Sequence, residues 1–135
     1  MLGTFDKTET DLRKDALADF ISSKHNSSFS IYRLKKKAQV SETKIRQYIN
    51  RINSLNVKFD YFFSLKSKDT LYCTEMIAQC YSYASDGKIE FGSSRIPRDQ
   101  LPFIPFFLNE PEFELIPIDF VQLSKKLKKI FYHTY

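Results

Sequence analysis

The order of patterned segments predicts an α+β fold, with helices packed on a small antiparallel sheet. Apolar residues recur at helical spacing in some stretches and at strand spacing in others, without a steady βαβ alternation. All five prolines fall between Ile96 and Pro117, which predicts a meandering segment rather than a long element there. The chain has 135 residues, 42% of them hydrophobic and 16% aromatic, enough for one modest core and a single domain over 1–135.

From Thr8 to Ser23 the apolar positions Leu12, Ala16, Leu17, Phe20 and Ile21 predict a helix, with Glu9 and Asp11 in its first turn. Asn26, Ser27 and Ser28 break it, and Phe29 to Leu34 reads as a strand. Ser41 is an expected N-cap for a second helix with an apolar side of Ile45, Tyr48, Ile49, Ile52 and Leu55, stopped at Asn56. The aromatic stretch Val57 to Phe63 has no clean period. A third helix is predicted from Leu71 to Ala84, burying Met76, Ile77, Cys80, Tyr81 and Ala84. After the Asp86-Gly87 turn, Lys88 to Phe91 reads as a short strand, and Phe113 to Ile118 and Leu127 to Tyr132 as late strands.

No apolar run approaches the ~20 residues that span a bilayer, and Met1 to Phe5 lacks the layout of a signal peptide. The cytoplasm is the default expectation. The net charge is +5, with +7 over residues 1–68 and −2 over residues 69–135. Lys35-Lys36-Lys37 and the cluster Lys125, Lys126, Lys128 and Lys129 read as solvated faces or as phosphate contacts. No recognition-helix, zinc-finger or RNA-binding motif accompanies them, so nucleic acid ranks last among the partners. Two cysteines alone make neither a disulfide-dense scaffold nor a four-ligand zinc site. No metal and no cofactor is expected.

Cys73 and Cys80 are seven residues apart on one predicted helix, roughly 10 Å, beyond the ~7 Å reach of a disulfide between α-carbons. Cys80 reads as a small buried hydrophobe. Cys73 sits in the first turn of the helix, where the dipole and unpaired backbone amides favour thiolate and could receive an oxyanion. On spacing alone it is structural or reactive.

Phe59-Asp60-Tyr61-Phe62-Phe63, a polar gap, and then Leu71-Tyr72-Cys73-Thr74-Glu75-Met76-Ile77 with Tyr81 further along carry a resemblance. The pattern resembles the circularly permuted branch of the NlpC/P60 papain-like cysteine peptidases, the YiiX-like group, with its aromatic segment followed by "YCSEL". Thr74 stands for the usual Ser and Met76 for the usual Leu. Asn56 and Phe59 replace the family's Gly and Tyr. The Ile31-Tyr32-Arg33-Leu34 strand before the Ser41–Leu55 helix, and the later Ile116 to Phe120 segment, extend the likeness from about residue 10 to residue 120.

The resemblance implies a partial papain-like fold and a thiol hydrolase in which Cys73 attacks an amide and forms an acyl-enzyme. It implies supporting or groove positions for Asp60, Tyr61, Tyr72 and Glu75. The substrate would be a peptide, a cell-wall peptide or a lipid amide. The family's base is a histidine in an "SHxG" strand, and no such segment occurs here. His25 lies in a polar break and His133 near the C-terminus; neither fits that position, and they are the only imidazole candidates. The chain is therefore expected to be an N-terminally incomplete domain, inactive alone or completed by self-association or a partner over the missing lobe. The alternative is a non-catalytic interaction module that uses its basic N-terminal half to meet an acidic partner.

Overall fold

Polar turns cut the apolar runs short, and the elements are correspondingly short. The computed structural model describes Leu12, residues 14–100 and residues 112–135. In chain order they form α1 (Leu17–Phe20), β1 (Ser28–Leu34), α2 (Glu42–Ser54), β2 (Lys58–Phe59), β3 (Thr70–Leu71), α3 (Cys73–Ala84), β4 (Ser94–Pro97), β5 (Glu112–Leu115), α4 (Ile118–Gln122) and β6 (Leu127–Thr134). The fold class is α+β, as expected. The strands pair as three separate ribbons, β1 with β6 and β4 with β5 antiparallel, and β2 with β3 parallel.

Helix α2 starts as its sequence requires. Ser41 accepts the backbone N–H of Lys44 on its side-chain oxygen at 3.3 Å, satisfying one of the donors a helix start leaves free. Both long helices end in the same way. Asn56 (φ 52°) follows α2, and the amides of Asn56 and Val57 reach back to the carbonyls of Asn53 and Ile52. Asp86 (φ 54°) and Gly87 (φ 75°) follow α3, their amides returning to Tyr83 and Ser82. This left-handed exit caps the last carbonyls, and Asn, Asp and Gly are the residues that tolerate it.

α3 lies between two apolar clusters. On one side Tyr48 and Ile52 of α2 pack with Leu71, Met76, Cys80, Val57 and Leu12. On the other, Ala78 packs with Ile89, Phe91, Ile116 and Val121, joined by Leu34 and Leu127 from the foot of the β1–β6 ribbon. A third, small cluster of Phe113, Ile96 and Leu115 holds the β4–β5 ribbon together.

Several expected elements differ. Of the helix predicted from Thr8 to Ser23, the described residues keep one turn, Leu17–Phe20, and residues 1–11 and 13 lie outside the description. The Lys88–Phe91 strand is absent, although Ile89 and Phe91 are buried. The Ile89 amide is taken by the Ser85 hydroxyl at 2.8 Å, which removes it from any ladder. At the edges of the proline-rich stretch an unforeseen strand, Ser94–Pro97, pairs with Glu112–Leu115. Pro97 sits at the strand's last position, where a missing donor costs least. The strand expected to run to Ile118 stops at Leu115, and Pro117 caps α4, which sequence patterning did not indicate. Five residues are too few for a helical period to register. Ile49 and Leu55 of α2 are exposed, and α3 buries Thr74, Glu75, Ala78 and Ala84 while Met76, Ile77, Cys80 and Tyr81 are half-buried.

Candidate functional site

Cys73 is the first residue of α3, exposed and free; Cys80, two turns on, is half-buried and also free. Burial pushes the Cys80 thiol up. Tyr72 is the N-cap residue, and its side chain does not cap. The Met76 amide donates to the Tyr72 carbonyl at 2.9 Å, the first bond of the helix. The amides of Cys73, Thr74 and Glu75 precede it and have no intrahelical acceptor. An oxyanion forming on an acyl group at the thiol would meet these donors and the positive end of the helix.

The residues on either side of Cys73 anchor it to a remote part of the chain. The Tyr72 hydroxyl accepts the Ile116 amide at 2.9 Å, and the Thr74 hydroxyl donates to the Ile116 carbonyl at 2.6 Å. All three residues are buried. Ile116 follows the last residue of β5, so neither of its backbone groups has a ladder partner. Both are satisfied by the two neighbours of the thiol, as buried backbone groups must be. Burial, partly offset by the Ile116 amide, raises the Tyr72 hydroxyl to about 12, so it stays protonated at neutral pH. Tyr72→Phe should lower stability by about 1–2 kcal/mol through the orphaned Ile116 amide, read as a shift in the urea midpoint. A midpoint equal to wild type would refute the bracket.

Asp60 organises the aromatic loop in front of α3. It is 3% exposed and accepts the amides of Phe62 and Ser64, both at 2.8 Å, and the Ser67 hydroxyl at 3.1 Å. Its own amide donates to Leu71 at 3.1 Å, and β2 pairs with β3 beside it. Phe63, forced to φ 55°, turns its ring edge-on to Tyr72 at 5.5 Å. Tyr61 is exposed and packs edge-on against Phe59 at 4.9 Å. The aromatic segment and the Tyr72-Cys73-Thr74-Glu75 turn are thus brought together.

Glu75 lies beneath them, 2% exposed. One carboxyl oxygen accepts from Gln79 at 3.0 Å, and Gln79 in turn accepts from the Tyr48 hydroxyl on α2 at 3.0 Å. The other oxygen has no partner. Burial, and then the Asp60 charge, pushes the carboxyl up from 4.5 to about 7, against the pull of the Tyr72 amide and Gln79. Tyr48 and Ile116 entered the sequence reading only as an apolar helix position and as part of a late segment, and Gln79, one helical turn after Glu75, was passed over.

The imidazoles lie elsewhere in the contact network. His25 is exposed in the turn after α1, its amide donating to Ser22. His133 sits on β6 among Phe29, Phe131 and Tyr135, with ring centroids 5.6, 6.4 and 4.8 Å away. Among the described residues, no hydrogen bond joins either imidazole to Cys73.

Residues 5–96 match a family model described as a permuted papain-like amidase enzyme, YaeF/YiiX. NlpC/P60 is a different, related family label, and the match ends short of the Ile116–Phe120 segment that also resembled the pattern. No curated protein matches, and no solved structure does.

Proposed function

The chain belongs to the permuted papain-like amidase family, and on that footing we propose that Cys73 is the nucleophile of an amide hydrolysis running through a thioester. The observation that carries the proposal is the exposed thiol at the first position of α3, held between two buried and anchored neighbours. The sulfur attacks the carbonyl carbon, the thiol proton passes to a base and on to the leaving amine, and the C–N bond breaks. Water then cleaves the thioester, releasing the acid and restoring the thiol. The amides at the start of α3, which lack intrahelical acceptors, would stabilise the tetrahedral oxyanion. Exposed Tyr61 lines the approach, and Asp60 and Glu75 hold the loop and the helix start in place. The substrate class that fits is a carboxamide of a peptide, a cell-wall peptide or a lipid.

Iodoacetamide should alkylate Cys73 at least about tenfold faster than Cys80 near neutral pH, because one thiol is open and the other is half-buried with its thiolate disfavoured. Mass spectrometry of timed digests measures the ratio. His25→Ala and His133→Ala should leave the Cys73 rate unchanged. Equal, slow labelling of both cysteines would rule out an activated thiol.

A further inference from the structure

The two basic clusters, far apart in the chain, are neighbours in the fold. In the β1–β6 ribbon Arg33 faces Lys128 and Leu34 faces Leu127, and the Lys35 amide donates to the Lys126 carbonyl at 2.9 Å. The Lys35-Lys36-Lys37 turn therefore lies against Lys125–Lys129. Residues 28–41 and 123–135 contain no Asp or Glu, so the ribbon carries no acidic residue of its own, and the adjoining α4 adds a single one, Asp119. The ion pairs Lys44–Asp86 and Arg46–Glu42 lie elsewhere.

Along the same ribbon apolar side chains stand outside every core cluster. Phe29 and Ile31 face His133 and Phe131, with the Phe29 and Phe131 rings 5.6 Å apart. Ile130, Phe131, Tyr132 and Tyr135 are each about half exposed. Lys129 lies 5.6 Å from the Tyr32 ring and 5.8 Å from that of Tyr132. α4 packs beside β6 and adds exposed Ile118, Phe120 and Leu123, the last of them 80% exposed.

We propose that the β1–β6 ribbon with α4 docks on an anionic lipid surface, its lysines at the headgroups and its apolar side chains at the acyl boundary. Charge complementarity points to an anionic partner, and the kind of apolar residue points to lipid. Nucleobases stack on Tyr and Phe but gain nothing from Leu123, Ile118 or Ile130, whereas an interface takes aliphatic and aromatic side chains alike. A lysine near an anionic leaflet strengthens binding about fivefold. No helix among the described residues is long and apolar enough to cross a membrane.

Co-sedimentation of the whole chain with vesicles tests this. Phosphatidylcholine containing phosphatidylglycerol should bind it at about 0.1 M salt and release it near 1 M, and phosphatidylcholine alone should not bind it. Lys128→Glu with Lys129→Glu should weaken binding at least about tenfold. Lys36→Glu with Lys37→Glu, in the turn outside the strand ladder, should do the same and stands in if the strand variant misfolds. Leu123→Ser should weaken binding without changing its salt dependence, and Cys73→Ser should bind as wild type. No binding to anionic vesicles, equal binding to neutral ones, or capture by oligothymidylate in place of vesicles each overturns the proposal.

Discussion

Replacing Cys73 by Ser should reduce acylation by p-nitrophenyl acetate at least about a hundredfold, because a serine hydroxyl without an adjacent base is a far weaker nucleophile than a thiol. Wild type should release a burst of p-nitrophenolate tied to one thioester per chain, as the sulfur takes the acetyl group and the phenolate leaves. Cys80→Ser should keep that burst. The comparison is informative because the two thiols share a helix yet differ in surroundings: Cys73 is exposed at its first position, and Cys80 packs against Tyr48, Ile52 and Leu71. Exposure also means that the serine variant should fold as wild type does, so a lost burst reports chemistry. A burst unchanged in Cys73→Ser would place the reactive group elsewhere.

The second large effect concerns pH. Stability should fall by roughly 3 kcal/mol as pH rises from 4.5 to about 7, the interval over which Glu75 titrates differently in the two states. Below 4.5 the carboxyl is neutral whether the chain is folded or not, and the full stability is present. Through the interval the unfolded chain releases the proton while the buried carboxyl keeps it, so the folded state binds more protons and loses ground as pH rises. Above about 7 the folded state holds a carboxylate with one partnerless oxygen, facing Asp60 and the hydroxyls of Tyr48 and Tyr72, and the loss is complete. Glu75→Gln should abolish this slope, since a neutral amide has nothing to titrate. Urea midpoints at about pH 5 and about pH 8 measure it. An equal slope in the variant would assign the effect to another group.

What the sequence revealed follows the range of the interactions involved. The Ser41 cap, the stop at Asn56, the β1 strand and the start of α3 near Cys73 depend on residues within one turn of each other, and all were readable. The failures lie where a distant partner decides. Ile49 and Leu55 have the spacing of a buried stripe, yet α2 packs through Tyr48 and Ile52 and leaves them in water. Nothing in the sequence marked Glu75 and Thr74 as buried, and Gln79 and Ile116 give their buried groups partners. β4 was hidden by prolines, which end Ser94–Pro97 without preventing its pairing with β5, a strand the sequence did indicate from Phe113. The aromatic segment and the turn around Cys73, quoted as one pattern, do pack together, because those fifteen or so residues are local to one another. The bracket around Cys73 was invisible, as it joins residues on separate elements.

That bracket also sets an order of assembly. Its two hydrogen bonds close 44 and 42 residues of chain, and such closures carry an entropic cost that local helices avoid. α2 and α3 form from neighbouring residues, whereas the walls on either side of the thiol exist only once the segment 112–122 has docked. A nascent chain that has made α3 therefore presents the sulfur without its surroundings. The thiol is covalently present from synthesis, and its setting waits on these longer closures.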